Sequence, residues 1–362
     1  MKYENDDFHI LTVNPGSTST KIGIFNNEKP VFVKKIVHDA DTLSGFSGIA
    51  GQYEYRKNAI VEELESANFS LSDIDIIMAR GGLLKPVISG VYEINDRMLE
   101  ELSTGLRGEH ASNLGGLIAA DLARRTAGGR AYIVDPVVVD EMQDVAKVAG
   151  HPEFKRVPIF HALNQKAIAR KHAAAINRDY ECINLIIAHI GGGVSIGAHC
   201  RGKVIDVNNA LYGDGPLSPE RSGSLPAKQV VDICFGGKYG KDEIEKMLVG
   251  EGGFMAYFGT SNYPEVQRRA ENGDEQCRLI RDAMAYQTAK YIGSMAAVLK
   301  GDVDAILITG GVANDVYICN YISKMVEFIA PVTVYPNEDE LSALAHNGLM
   351  LLKGIIRANR YE

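Results

Sequence analysis

The sequence predicts an α/β protein built from two similar domains, and three observations lead to this fold class. The chain has 362 residues, which is more than one hydrophobic core usually holds. A pattern of three strands joined by short turns occurs near the start and again about 175 residues later. A third segment, residues 304–322, has the pattern of a buried strand, a glycine turn and a helix.

The first strand pattern begins with HILTVNPGSTSTKIGIFNN, residues 9–27. Apolar, β-branched runs predict strands on either side of the polar turn, and residues 30–37 predict a third antiparallel strand. A P-loop is excluded because only Gly16 precedes Lys21 and a strand follows instead of a helix. The turn offers polar groups suited to a phosphate, although an ordinary polar turn is the alternative. These groups belong to Asn14, Ser17, Thr18, Ser19 and Lys21.

The second strand pattern is NLIIAHIGGGVSIGAHCRGKVIDVNNA, and its first turn is Gly191-Gly192-Gly193. Glycines without Cβ atoms let the backbone approach phosphate oxygens and offer N–H donors. A dinucleotide site is a weaker interpretation, because the run does not satisfy G-x-G-x-x-G and leads into a strand. Two similar domains, each with a phosphate-facing turn, predict a nucleotide in the cleft between them.

The third segment, DAILITGGVANDVYICNYI, places Gly310 and Gly311 between a predicted strand and a predicted helix. Asn314 stands just before that helix. Close backbone approach at such a turn suits the adenosine part of a nucleotide. A plain strand-to-helix turn without a ligand is the alternative.

Composition narrows the function classes. The chain has 38 Lys and Arg against 46 Asp and Glu, with a net charge of −8, which argues against a nucleic-acid or anionic-membrane surface. Its N-terminus lacks the pattern of a signal peptide and no apolar run is long enough to span a bilayer, so a cytoplasmic location is expected. Five scattered cysteines contain no C-x-x-C pair, which favours neither a disulfide framework nor a zinc site.

Seven motifs occur in this order along the chain: NPGSTSTK, ARGG, VDPVVVDEM, IFHALNQKAIAR, AHIGGGVS, GPLSPERSGSLP and TGGVAND. Together they resemble the acetokinase family, within the superfamily of acetate and sugar kinases, Hsc70 and actin, and they are most similar to its butyrate kinases. The resemblance implies two actin-like (ribonuclease H-like) domains with an interdomain ATP cleft. It also implies domains at 1–165 and 166–340, a helix 341–362 that packs back on the first domain, and a homo-oligomer.

The function that the resemblance implies is the reversible transfer of the γ-phosphoryl group of ATP to a short-chain fatty acid, butanoate giving butanoyl phosphate. Phosphorylation of a branched-chain acid such as isobutyrate is the nearest alternative. Another small-molecule kinase, such as a sugar kinase, is a further alternative, but it would leave the arginines of ARGG and PERSG unexplained. A non-metabolic ATPase of the same superfamily also stays open.

The acceptor carboxylate is ionised at neutral pH, so the reaction needs no strong base. It needs arginines, Mg²⁺ and oriented donors, because an anion must approach a triphosphate. By resemblance, Arg80 and Arg221 act on the substrate carboxylate and the transferred phosphoryl group. Asp135 and Glu340 are expected to hold Mg²⁺, and Asp339 is the alternative to Glu340.

Two histidines complete the expected active site. By resemblance, His161 donates to the transferred phosphoryl oxygens and His189 shapes the loop or contacts phosphate. Acetate kinases have a second histidine where this chain has Gln165, which argues against a two-histidine mechanism. The residues that the resemblance assigns to nucleotide binding are Asn14, Ser17, Ser19, Lys21, His189, Gly191, Gly192, Gly193, Gly310, Gly311 and Asn314.

The acyl chain of the substrate is expected beside Gly81 and Gly82, which follow Arg80. Acetate kinases carry bulky residues at the two matching positions, so these glycines predict room for a longer chain. Each buried methylene would contribute roughly 0.8 kcal/mol to binding. In the alternative interpretation the glycines serve only the backbone, and Phe160 or Leu83 forms the wall of the pocket.

Overall fold

The computed structural model describes residues 7–126, 128–336 and 340–362, and the chain forms two compact units. The first unit combines Met1–Val139 with Asp339–Glu362, and the second is Asp140–Glu338. The unit boundary thus precedes the domain boundary expected at 165/166. Residues 140–165 belong to the second unit because they contact its sheet. Gln143 N donates to Ile205 O, for example, and Arg156 pairs with Asp206 at 3.0 Å.

The strands are β1 His9–Pro15, β2 Ser19–Asn26, β3 Lys29–Val37, β4 Ile76–Arg80, β5 Val91–Glu93, β6 Ala131–Val134, β7 Asn184–Ile190, β8 Val194–Cys200, β9 Lys203–Val207, β10 Ala305–Gly310 and β11 Val332–Pro336. The helices are α1 Ala40–Ser44, α2 Tyr53–Ser66, α3 Asp96–Thr104, α4 Asn113–Ala123, α5 Asp144–Lys147, α6 Ala162–Ala175, α7 Ala227–Phe235, α8 Lys241–Leu248, α9 Phe254–Phe258, α10 Tyr263–Glu271, α11 Glu275–Val298, α12 Val316–Val326 and α13 Glu340–Leu352. Short 3-10 turns lie at Ala50–Gln52, Leu71–Asp73, Tyr180–Cys182 and Gly311–Asn314.

The first unit contains a six-stranded sheet in the order β3-β2-β1-β4-β6-β5. The first three strands form an antiparallel meander, β1, β4 and β6 run parallel, and β5 is antiparallel to β6. Helix α4 packs on β4 and β6, and α13 packs on β1 and β4. Because helices cover the central strands, β1 and β4 consist almost entirely of buried residues.

The second unit contains a five-stranded sheet in the order β11-β10-β7-β8-β9. Strands β7, β8 and β9 form a second antiparallel meander, and β10 runs parallel to both β7 and β11. Every residue of β7 is buried, since α6 covers one face of the sheet while α11 covers the other. This arrangement places the strand ends, and the turns that follow them, at the border of a rigid core.

The two predicted strand patterns are confirmed as meanders β1–β3 and β7–β9. Lys21 lies inside β2, which agrees with the exclusion of a P-loop. The predicted strand, turn and helix of residues 304–322 are also present, as β10, a 3-10 turn and α12. The sequence therefore predicted the elements that carry the candidate site residues.

Two neighbouring helices of the second unit have few contacts with its core. Neither α7 nor α8 contains a buried residue, and the Phe235 side chain at the end of α7 is 87% exposed. None of the described helices combines the length and apolar composition needed to cross a membrane.

Candidate active site

The first predicted phosphate turn joins β1 to β2 in the first unit. Asn14 in β1 stands directly opposite Lys21 in β2, so both side chains point to the same face of the sheet. At the tip, Ser17 is exposed and Ser19 is half-buried. The hairpin therefore brings these four predicted polar residues to one end of the meander.

Asn14 contacts Glu340, the first residue of α13. Its Nδ2 donates to Glu340 Oε2, while its Oδ1 is buried and has no donor among the described residues. Arg80 NH1 lies 4.0 Å from Glu340 Oε1. Asn14 and Glu340 are only 4% and 3% exposed. Three predicted residues from distant parts of the sequence thus meet in one polar cluster.

Arg80 is the last residue of β4, as the sequence predicted. Helix α4 approaches its backbone so closely that a Cβ atom at Gly115 would stand 2.3 Å from the Arg80 carbonyl oxygen. A side chain longer than glycine would therefore displace the end of β4. The Arg80 Nε is buried and bonds to none of the described acceptors. Close packing of α4 thus fixes the point from which the guanidinium extends.

Asp135 immediately follows β6 and has a left-handed backbone with φ of 37°. Its side chain is buried, and Oδ1 accepts hydrogen bonds from Ser89 Oγ at 2.6 Å and Gly90 N at 2.8 Å. Asp tolerates this conformation better than most residues, yet such a backbone is strained and is typical of functional sites. The carboxylate is therefore held rigidly at the strand end where the sequence predicted it.

The two glycines after Arg80 face protein atoms. A Cβ atom at Gly81 would stand 2.5 Å from Pro136 Cβ, and one at Gly82 would stand 2.4 Å from Asn113 Oδ1. The expected room for an acyl chain is thus not available in the Cβ direction of either residue. Asn113 Oδ1 instead accepts the Leu83 amide at 2.8 Å, which shows why the backbone must approach α4 here.

The second predicted phosphate turn, Gly191-Gly192-Gly193, lies against Arg221 in the second unit. A Cβ atom at Gly193 would stand 1.9 Å from Arg221 NH1, so glycine is needed for the guanidinium to lie there. Arg221 NH1 donates to Ala210 O at 2.5 Å. The structure therefore brings the glycine turn and the predicted arginine together. It also supplies a reason for Gly193 that the sequence analysis missed.

The loop that carries Arg221 is tied to the same turn. Ser218 Oγ donates to Gly192 O at 2.7 Å, and the Glu220 amide donates to the same carbonyl at 3.2 Å. Because Gly192 O accepts both donors, the loop and the turn form one hydrogen-bonded unit. The backbone of the glycine turn consequently holds the loop from which Arg221 extends.

His161 and His189 are neighbours joined by Asn164. Their rings are 4.3 Å apart between centroids. The backbone N–H of Asn164 donates to His161 Nδ1 at 3.4 Å. The side-chain Oδ1 of Asn164 accepts from His189 Nδ1 at 2.8 Å. With Nδ1 as an acceptor, neutral His161 carries its proton on Nε2, where it can be donated. Asn164 was not predicted, although it stands inside the quoted motif IFHALNQ.

Gln165 belongs to a buried chain of hydrogen bonds. Tyr180 OH donates to His199 Nδ1 at 2.7 Å, and His199 Nε2 donates to Gln165 Oε1 at 2.9 Å. Gln165 Nε2 then donates to Ser195 Oγ at 2.8 Å. Burial, with help from nearby positive charges, holds the pKa of His199 well below its usual value, so the ring stays neutral. Gln165 is thereby held in a structural network.

The predicted adenosine turn follows β10. Gly310 has a φ of 98°, and a Cβ atom there would stand 2.4 Å from Ile190 O. The next residue, Gly311, has no atom within 4 Å of its Cβ direction, which leaves the backbone accessible. Asn314 Nδ2 donates back to Gly311 O at 2.9 Å, whereas Asp315 caps α12. Gly310 is thus a packing glycine, and Gly311 is the accessible one.

Phe160 and Asp339 are the remaining residues that the sequence analysis named for the site. Phe160 is buried, with 2% of its surface exposed. Asp339, the alternative to Glu340 as a metal ligand, lies outside the described residues. The choice between Asp339 and Glu340 therefore stays open.

The oxygen atoms of the first unit suit Mg²⁺, which prefers hard oxygen ligands and keeps several waters. The described residues contain no group of three or more His, Cys, Asp and Glu side chains arranged for a metal. Mg²⁺ needs only one or two carboxylates when substrate phosphates complete its shell. Asp135, Glu340 and the buried Asn14 Oδ1 are oxygen donors of the kind that Mg²⁺ takes.

Known proteins share both the sequence and the fold. Residues 155–339 match the acetokinase family. The chain is 52% identical over 355 residues to butyrate kinase 2 of Clostridium acetobutylicum, which covers 98% of this chain and 99% of that protein. The chain belongs to the acetokinase family. Butyrate kinase 1 of the same organism is 48% identical, with 98% of this chain and 100% of that protein covered.

Two solved structures resemble this acetokinase over most of its length. Acetate kinase from Porphyromonas gingivalis has a TM-score of 0.76 at 19% identity and covers 95% of this chain and 100% of that one. Propionate kinase from Francisella tularensis has a TM-score of 0.74 at 19% identity, with 94% and 98% covered. This likeness concerns the fold alone, and it confirms the prediction of an α/β protein with two actin-like domains.

Proposed function

We propose that this acetokinase is a butyrate kinase, which transfers the γ-phosphoryl group of ATP to butyrate and runs reversibly. The observation that carries the proposal is the 52% identity to butyrate kinase 2 over almost the whole of both chains. A second relative named butyrate kinase, at 48% identity, points to the same substrate. The branched-chain alternative is not favoured, because both relatives carry the name of the straight-chain enzyme.

The reaction needs positive charge more than it needs a base. The butyrate carboxylate is ionised at neutral pH and attacks directly, while charge spreads over the equatorial oxygens of the transferred group. We assign Arg80 and Arg221 to the carboxylate and the phosphoryl group. Support comes from their fixed positions, at the tightly packed end of β4 and against Gly193. Fixed donors lower the barrier because they need no reorganisation during the reaction.

His161 is assigned as a donor to the transferred phosphoryl oxygens. Its Nδ1 accepts the Asn164 amide, so its Nε2 carries the proton that a phosphoryl oxygen would accept. His189 is assigned to shaping the turn that follows β7 or to a phosphate contact. Gln165 bonds to Ser195 and His199, which supports a mechanism with a single donor histidine.

The nucleotide is assigned to three turns that the sequence predicted. Side chains would bind phosphates at the β1–β2 turn, backbone amides at the glycine turn before β8, and the accessible backbone at Gly311 would face adenosine. The residues assigned to these contacts are Asn14, Ser17, Ser19, Lys21, Gly191, Gly192, Gly193, Gly310, Gly311 and Asn314.

A magnesium ion is proposed to be held by Asp135 and Glu340. When bound, it would neutralise phosphate charge and orient the triphosphate. Glu340 also contacts Asn14 and Arg80, so removing its carboxylate would disturb a phosphate contact and an arginine together. The rigid Asp135 carboxylate would keep the ligand geometry constant between turnovers.

The wall of the acyl pocket is assigned to Phe160, with Gly81 and Gly82 as backbone contacts to the substrate. Filled space in both Cβ directions favours the interpretation in which these glycines serve the backbone. A Gly82→Val exchange would therefore collide with Asn113 at the start of α4 before it could test chain length. Chain-length preference is better tested with substrates than with that variant.

The proposed function is tested by measuring acyl phosphate formation, trapped as the hydroxamate, from ATP with butyrate, isobutyrate, acetate or a hexose present. Butyrate should give the highest kcat/KM. Equal ATP hydrolysis with and without every acid would overturn the assignment as a carboxylate kinase. A higher kcat/KM with isobutyrate would establish the branched-chain alternative.

Three expectations from the sequence remain proposals. They are the interdomain position of the ATP site, the homo-oligomer and the cytoplasmic location. Analytical ultracentrifugation would measure the second, and a homo-oligomer predicts a sedimenting mass that is a multiple of 39.4 kDa.

A further inference from the structure

Arg56 is a fully buried arginine behind the first phosphate turn. It lies in the first turn of α2, and its exposed fraction is 0%. Its hydrogen-bond acceptors are carbonyl, amide and hydroxyl oxygens, and it forms no ion pair with a described carboxylate. A buried charge without a counter-ion is unfavourable, so its presence calls for a reason.

The guanidinium holds the backbone of the turn between β1 and β2. Its NH1 donates to Gly16 O and its NH2 donates to Ser17 O, both at 2.8 Å. The next carbonyl, Thr18 O, accepts the His38 backbone amide at 2.9 Å. Three successive carbonyl groups of the turn are therefore fixed by donors that lie behind it.

The opposite side of the same peptide groups is left available. No described residue accepts a hydrogen bond from the amides of Ser17 or Thr18. When successive carbonyls are held on one side, the N–H groups between them are exposed to an anion on the other. The amides of Ser17 and Thr18 thus remain available to an anion, while Arg56 holds the carbonyls of the turn.

Gln52 fixes the arginine in turn. Its Oε1 accepts from Arg56 Nε at 3.0 Å and from NH2 at 2.8 Å. Gln52 is itself buried at the start of α2. A neutral amide at this position orients the guanidinium and leaves its positive charge uncompensated. A glutamate would have the same shape but would cancel the charge.

We propose that Arg56 is a positioning residue for the nucleotide, which fixes the β1–β2 turn and adds an uncompensated positive charge behind its phosphate-facing amides. The proposal rests on the proposed function, because it assumes that this turn binds ATP phosphates. An anion in the turn would supply the counter-charge that the folded protein lacks. Arg56 and Gln52 therefore act on ATP through the backbone, without contacting it.

The decisive variant is Gln52→Glu, which keeps both hydrogen bonds and neutralises the guanidinium. We expect the KM for ATP to rise about tenfold, because one unit charge is cancelled close to the phosphates. The KM for butyrate should change little, and the melting temperature should equal or exceed that of the wild type. Asn58→Asp is the matched control, since it adds the same charge to an exposed position on the same helix.

A second variant, Arg56→Lys, keeps the charge and loses the two-pronged contact with the turn. We expect kcat to fall about tenfold, because one amine cannot hold both carbonyls, while the KM for ATP rises less than in Gln52→Glu. If Arg56 had only a structural role, Gln52→Glu would be as stable as the wild type and would keep its KM for ATP. That result would overturn the proposed charge effect, and wild-type kcat in Arg56→Lys would overturn the positioning role.

ATP affinity is also measured by titration calorimetry without any acid. This readout separates the two proposals. A wild-type protein that binds ATP but does not phosphorylate butyrate would contradict the proposed function. A drop in ATP affinity in Gln52→Glu, with none in Asn58→Asp, would still support the role of Arg56. Equal affinities in all three proteins would overturn it.

Discussion

The two meanders have the same strand connections, but their turns differ in composition and in the arginine that lies beside them. The turn between β1 and β2 has polar side chains at its tip and a buried arginine behind it. The turn between β7 and β8 consists of three glycines, and its arginine comes from a separate loop and lies against Gly193. A shared topology therefore fixes the place of a turn and leaves its chemistry open.

The difference shows where each turn obtains its positive charge. In the first unit the charge of Arg56 is built into the core and acts through peptide groups. In the second, Arg221 is half-buried, and hydrogen bonds between its loop and Gly192 keep it in place. The first arrangement favours a permanently formed turn, whereas the second depends on a loop that must keep its conformation.

The largest expected effect comes from the arginines assigned to the reacting groups. Arg80→Ala and Arg221→Ala should each lower kcat/KM for butyrate by about a hundredfold or more, the scale of losing one fixed charge contact. Steady-state kinetics check this expectation. Exposed arginines of the same units serve as controls, and Arg124→Ala and Arg268→Ala should keep wild-type rates.

Near wild-type turnover in either active-site variant would remove that arginine from the proposed mechanism. Both variants should keep the circular dichroism spectrum of the wild type, because neither side chain belongs to a hydrophobic core.

The glycine turn provides a matched pair of substitutions. Gly193→Ala should lower kcat/KM about tenfold or more, because the new methyl group must displace the Arg221 guanidinium, which lies 1.9 Å from its position. Gly192→Ala places its methyl 3.2 Å from a Glu220 carboxylate oxygen, which a small shift can relieve. Steady-state kinetics of both variants test whether the second turn depends on the charge of Arg221. Equal losses of kcat/KM in the two variants would contradict that dependence.

The bridge between the two histidines should have a smaller effect. Asn164→Ala removes the acceptor of His189 Nδ1 but keeps the backbone donor to His161. We expect kcat to fall by less than about tenfold, and stability to fall by about 1–3 kcal/mol because a buried donor loses its partner. Urea unfolding and kcat are the measurements. Unchanged kcat would mean that the His189 orientation is irrelevant to turnover.

The smallest effect on catalysis is expected behind the first turn, at His38. Burial and then the positive charge of Arg56 lower the pKa of His38 to about 4, from 6.5. Because the unfolded chain binds the proton first, the stability present above pH 6.5 is lost as the pH falls towards about 4. The full loss is about 3 kcal/mol. His38→Gln should flatten this part of the stability profile and leave kcat at pH 7.5 unchanged.

The exposed histidine His346 provides the comparison for that experiment. Urea unfolding between pH 4 and 7 is compared for the wild type, His38→Gln and His346→Gln. A wild-type profile in His38→Gln would contradict a lowered pKa of His38.

The sequence predicted most of the fold because its patterns are local. Alternating and continuous apolar runs marked both meanders, and the segment 304–322 showed its strand, turn and helix. Arg80 and Asp135 were correctly expected at strand ends because each directly follows a buried run. Their tertiary neighbours lie far away in the chain and left no local pattern.

Several features could not be predicted for that reason. The contact between Asn14 and Glu340 joins residues that are 326 positions apart. Arg56 lies in a helix of mixed composition, and nothing in its neighbourhood distinguishes it from a surface arginine. Gly81 and Gly82 were expected to leave space, but only the position of α4 reveals that Asn113 and Pro136 fill it. Packing between distant segments decides all three cases.

The left-handed backbone at Asp135 restricts how this position can drift during evolution. Asn and Gly would accept a φ of 37° equally well, but neither carries a charge. Glu would keep the charge but lacks the tolerance for that conformation. If the carboxylate serves Mg²⁺ as proposed, no single substitution satisfies both demands. The residue is then constrained twice, by the backbone and by the chemistry, so that an intermediate on any path away from aspartate loses one of them.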